Sequence, residues 1–130
     1  GWVEHLFLCV AAPLGASLET RWYGRDGSFC LKPMGAAEAR QQLEGLLQHY
    51  RGGLMAPLFF FPKSAWAYMS GDRNLGKARQ VWAGAPDRGW GEGDDVVWRL
   101  VLRGVTDPLD RCFEETAQAV LAPLIAQLNT

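Results

Sequence analysis

The sequence predicts an α/β domain, a small mixed sheet flanked by helices. Three observations carry that expectation. Apolar residues recur at helical spacing near the start, in the middle and at the end of the chain. The stretch TRWYGRDGSFCL, residues 20–31, sets Asp26-Gly27 between two runs rich in aromatic residues, which is a hairpin signal. LFFF, residues 58–61, is a short apolar run bracketed by Pro57 and Pro62 and reads as a buried strand.

The first helix is marked by Trp2, Val3, Leu6, Phe7 and Val10, and Pro13 and Gly15 end it. The chain enters this amphipathic pattern directly at Gly1, as expected of a fragment of a larger protein. In the hairpin, Gly27 tolerates the positive φ of a tight primed turn. Residues 36–53 form the clearest helix, with Ala39, Leu43, Leu46, Leu47 and Tyr50 on one stripe. Gly52-Gly53 can end it in the left-handed conformation. After the LFFF strand, residues 64–69 return to helix with Pro62 near the first turn. Residues 70–94 are polar and glycine-rich, with one short helix from about Asn74 to Ala83, and read as a surface excursion. The last helix is expected from Asp107 to Leu128. Asp107 caps it, Pro108 takes the first position, and Asp110, Glu114 and Glu115 suit its positive end. Leu109, Phe113, Val120, Leu121, Leu124 and Leu128 form its buried stripe, and Pro123 should kink it near residue 119. The whole, residues 1–130, is read as one domain.

Composition removes several classes of function. A net charge of −1 provides no global basic field for nucleic acid. With 48% hydrophobic and 21% charged residues the chain is an ordinary globular one. Cys9, Cys30 and Cys112 are odd in number and far apart, which fits neither a disulfide framework nor a zinc site. The longest apolar run, residues 6–14, is too short to span a bilayer and lacks the basic flank of a signal peptide. A reduced, cytoplasmic setting is expected.

Two motifs suggest catalysis. GDRNLGKA, residues 71–78, nearly satisfies the phosphate-loop pattern through Gly71, Gly76 and Lys77. Ala78 stands where a magnesium-ligating hydroxyl belongs, so a nucleotide site is not expected. GEGDDVVWRL, residues 91–100, places Glu92, Asp94 and Asp95 ahead of an apolar run. Such acids could hold magnesium for phosphodiester cleavage. They are also what a helix start looks like, since a carboxylate accepts orphan amide hydrogens and suits the helix dipole. The structural reading is favoured, and the acids are expected to meet amides and an arginine such as Arg99 or Arg103. The run after them leaves helix and strand open, because Val96, Val97 and Val101 are β-branched. His5 and His49 are isolated, no nucleophile elbow is present, and Cys30 reads as buried and inert.

The aromatic and basic residues are the better functional candidates. Trp22, Trp66, Tyr68, Trp82, Trp90 and Trp98 could stack on unpaired bases. Trp90, set between glycines, is the best of them, whereas Trp2, Trp66, Trp82 and Trp98 are expected in the core or at a subunit contact. Arg73, Lys77, Arg79 and Arg88 cluster nearby and could touch phosphates or a partner, diluted by Asp72 and Asp87.

A family resemblance runs through these blocks. EARQQLEGLLQHYRGGLMAPLFFFPKSAWAY, KARQVWAG, GWGEGDDVVWRLVLRG, DPLDRCFEE and the final APLIAQL resemble, in order, the C-terminal region of the RecC family, the gamma subunits of bacterial exodeoxyribonuclease V. WVEHLFL and TRWYGRDGSF fit upstream. The resemblance implies a PD-(D/E)xK (restriction-endonuclease-like) core that has lost its catalytic residues. It implies a subunit that docks on the helicase/nuclease beta and helicase alpha chains and guides DNA during ATP-dependent unwinding and degradation in recombinational repair. ATP and magnesium would belong to those partners, with no cofactor in this domain. In such a core an acid lies two residues before a lysine on a central strand. Here Cys30-Leu31-Lys32 would put a thiol at the acid position, and Gln42 and Tyr50 would be structural. The alternative is an active magnesium-dependent nuclease using Glu92, Asp94 and Asp95.

Overall fold

The computed structural model describes residues 1–87 and 89–129. In chain order its elements are α1 (Trp2–Ala11), β1 (Thr20–Gly24), β2 (Gly27–Leu31), α2 (Ala36–Met55), α3 (Pro62–Ser70), α4 (Leu75–Ala83), β3 (Gly84–Ala85), β4 (Gly89–Trp90), a 3-10 turn (Glu92–Asp94), α5 (Val96–Val101), α6 (Arg111–Gln127) and β5 (Leu128–Asn129). They form two compact units. One is Gly1–Met55 with the C-terminal stretch from Pro123, and the other is Ala56–Ala122.

In the first unit α1 ends where Ala12, ahead of Pro13, takes an extended conformation (φ −65°, ψ 141°). Its buried face is His5, Leu6 and Cys9. Val3 and Phe7, expected on the stripe, are exposed instead. The His5 ring on the buried face is held by hydrogen bonds to Thr20 and the Lys32 carbonyl. Leu6, Cys9, Met34 and Ala39 make the core, with Trp2, Val10, Leu18, Leu43 and Leu46 against it. α2 runs through Gly52 and Gly53 to Met55, so the glycine pair does not end it. Glycine lowers helix propensity by about 1 kcal/mol but keeps its amide, and the hydrogen-bond ladder continues.

The hairpin forms, with Gly24 opposite Gly27, so its turn is Arg25-Asp26, one residue earlier than expected. Gly27, at φ 151°, supplies the unusual backbone at the start of the returning strand. β2 is the middle strand of the order β1-β2-β5. Both pairings are antiparallel, which corrects the mixed sheet of the sequence reading. The LFFF segment is not a strand either. The Phe60 amide donates to the Leu58 carbonyl at 2.8 Å, a tight turn that suits a run closed by prolines on both sides. The third strand comes from Leu128–Asn129, with the Lys32 amide donating to the Gln127 carbonyl beside it at 3.1 Å.

The second unit is built round Phe61. Its ring meets Trp82 at 4.4 Å, Trp98 at 4.9 Å and Phe113 at 5.8 Å between centroids. Residues 70–94 are therefore more than a surface excursion, because α4 packs on α3 and delivers Trp82 to this cluster. A Cβ on Gly93 would stand 2.6 Å from the Trp82 indole, so only glycine lets the 3-10 turn lie against it. α6 starts at Arg111 rather than near Asp107. Asp110 Oδ1 accepts the Cys112 amide at 2.9 Å and the Phe113 amide at 3.2 Å. Asp107 instead accepts the Leu109 amide in a preceding turn. The helix passes through Pro123 to Gln127. No described helix is long and apolar enough to cross a membrane.

Candidate nucleic-acid interface

The acidic triplet is committed to backbone. Glu92 reaches across sequence to the start of α3, where its oxygens accept the Lys63 amide at 3.0 Å and the Ser64 amide at 2.7 Å. α3 begins at Pro62 after Phe61, which has no capping side chain, so Glu92 supplies the missing acceptor from a distance. Asp94 accepts the Gly91 amide at 2.9 Å, and Asp95 caps α5 by accepting the Val97 amide at 2.8 Å. Among the described residues none of the three pairs with Arg99 or Arg103. Magnesium needs several oxygens converging at about 2.1 Å in octahedral array. Carboxylates aimed at three separate helix starts do not fit that requirement, and among the described residues no three His, Cys, Asp or Glu side chains gather as a metal set.

The other candidates sort by position. In the second unit, α3, α4 and the β3–β4 hairpin enclose a cleft of about 790 Å³. Lys77 and Trp90 both line it, with Trp66 and Gln80. Trp90 is 88% exposed, far more than a structural indole needs to be. Lys77 lies against the bare Cα of Gly71, where an added Cβ would come 2.5 Å from its Cδ. Asn74 caps α4 just before it, accepting the Lys77 amide through its side chain. Arg79 sits apart, its guanidinium 2.6 Å from Asp107, which holds the Asp107 carboxyl below its ordinary range. Arg73 follows Asp72 in a left-handed turn (φ 57° and 60°) and is exposed. Arg88 lies outside the described residues.

The sequence places Trp66 in the core or at a subunit contact, and the structure keeps it out of the core. It is 41% exposed and faces the cleft. The signal was available in the helical period, because Ser64, Ala65 and Tyr68 share the buried face of α3 and Trp66 falls opposite them. Also unread was a partly buried link in which the Tyr68 hydroxyl donates to Glu114 at 2.9 Å and accepts from Gln118 at 3.3 Å. Burial first, and the Glu114 carboxylate second, raise the Tyr68 phenol above its ordinary range.

The GDRNLGKA segment leaves a helix, α3, and enters another, α4, whereas a phosphate loop leaves a strand. His5 is fully buried. Its Nε2 donates to the Lys32 carbonyl at 3.0 Å, and its Nδ1 meets the Thr20 hydroxyl at 2.8 Å.

A family model described as the RecC C-terminal domain matches residues 1–73. The RecBCD enzyme subunit RecC of Escherichia coli (strain K12) is 32% identical over 139 aligned positions, which cover 95% of this chain. The chain belongs to the RecC family. It spans about 12% of the length of that relative.

The segment Cys30-Leu31-Lys32 lies at the end of β2. β2 is the middle strand of its sheet, Leu31 is buried, and Cys30 is half-buried while Lys32 is exposed. Lys32 follows the last residue of β2. A thiol and an amine are not ligands for a hard cation. The nearby Glu19 carboxylate is engaged by Arg21 at 2.7 Å, which lowers its pKa, with a smaller contribution from Cys30. On α2, Gln42 is half-buried and Tyr50 is exposed.

Proposed function

We propose that this chain is a non-catalytic module of an exodeoxyribonuclease V gamma subunit. In this reading it docks the helicase/nuclease beta and helicase alpha subunits and guides DNA while the complex, using ATP, unwinds and degrades duplex ends in cytoplasmic recombinational repair. The relation to RecC along nearly the whole chain carries the proposal. Two features support it. The carboxylates that a nuclease would give to magnesium are spent on helix starts. In our reading β2 stands for the strand that carries the acid in a PD-(D/E)xK core, Cys30 takes the acid's position, and the sheet is a degenerate form of that core. ATP and magnesium then belong to the partner chains.

Docking needs apolar surface outside the core, and α5 supplies some. Val96 is 77% exposed, Val97 62% and Leu100 63% on a helix of six residues. Exposed apolar side chains grouped in this way mark interaction surfaces. In our reading this face meets another subunit of the enzyme. Co-purification with the tagged helicase subunits tests it. The wild-type chain should be retained, and Leu100→Asp should lower retention at least tenfold without changing thermal stability. Equal retention of both forms, or none of the wild type, contradicts the docking role.

A further inference from the structure

The cleft of the second unit offers more than a general DNA contact. Trp90 presents an indole that the fold does not use, 88% exposed on a two-residue strand. Trp66 adds a second indole from α3 on the same cleft. Lys77 points a cation there from the first turn of α4 and makes no ion pair with any described residue. The Gln80 amide lies along the same wall, and Asp87 is on the lining as well, so the cleft is mixed in charge rather than a basic trough. Gly71 leaves room for the Lys77 stem to lie flat, and any side chain there would displace it.

A planar apolar face, a nearby cation and amide hydrogen-bonding groups correspond to the parts of one nucleotide. The base has a π-face, the phosphate has a charge, and the base edge has donors and acceptors. Duplex DNA hides its base faces in the stack, so only an unpaired strand can use the indole. We propose that this cleft binds a nucleotide of unpaired DNA, the base stacked on Trp90 and the phosphate on Lys77. The proposal deepens the DNA-guiding half of the function above. Subunit assembly tests the other half, so the two can fail separately.

The test is fluorescence anisotropy of a labelled oligothymidylate with the full chain, at several salt concentrations. Trp90→Ala should weaken binding roughly tenfold or more, and Trp90→Phe should recover part of the loss, since stacking survives on a smaller ring. Lys77→Gln should lower the salt slope by about 0.7, the loss of one single-strand phosphate contact. An abasic oligomer of equal length and a blunt duplex should both compete poorly. The proposal is overturned if the wild type does not bind, or if neither substitution changes binding. It is also overturned if the abasic oligomer or the duplex competes as well as the oligothymidylate.

Discussion

Single residues show why the sequence pattern was only partly readable. His5 appeared as an isolated imidazole, yet its two ring nitrogens tie α1 to Thr20 and to the Lys32 carbonyl. Donation from Nε2 fixes the neutral tautomer, leaving Nδ1 to accept from the Thr20 hydroxyl. Burial lowers the His5 pKa, and the Lys32 carbonyl offsets part of that. The folded protein therefore binds fewer protons at this site than the unfolded chain. Stability from His5 is fully present above the ordinary histidine value of about 6.5 and is lost as pH falls from there toward the lowered folded value. Urea denaturation between pH 7.5 and pH 5 should show this decline, and His5→Gln should flatten it. Trp66 is the opposite case, because its exposure follows from the helical period alone. No one-residue rule would have predicted that Gly93 exists to admit an indole from α4.

At the scale of elements, most of the helices were legible and their ends were not. α1, α2, α3 and α4 follow from apolar spacing and from the prolines and caps near them. The ends moved where two signals competed. Asp107 and Asp110 both offer caps, and the one adjacent to the helix takes it. LFFF has the composition of a strand, but its flanking prolines turn it, and the sheet takes its third strand from the far end of the chain. Such pairing between distant segments leaves no local trace. The same holds for the cap of α3, which comes from Glu92, 28 residues beyond Ser64. Replacing it by Gln keeps the shape but removes the charge from two hydrogen bonds. Glu92→Gln should destabilise the second unit by about 1–3 kcal/mol in chemical denaturation. Magnesium should leave the midpoints of both forms unchanged, and a magnesium-dependent rise in the wild type alone would restore the metal reading.

For the molecule as a whole, the order of blocks along the chain was more informative than any motif. GDRNLGKA and the acidic triplet each suggest chemistry when read alone. Their surroundings assign them to a connection between two helices and to a set of helix caps. What remains is a RecC-family piece with exposed apolar side chains on α5 and an indole-lined cleft beside Lys77. In our proposal those are means of binding, and the oxygens of Glu92, Asp94 and Asp95 serve backbone amides. The most direct measurement is the length of linear duplex DNA after incubation with the chain and magnesium. The account predicts no shortening at any concentration of the chain. Shortening that chelation stops, and that Asp94→Asn or Glu92→Gln abolishes, would contradict it.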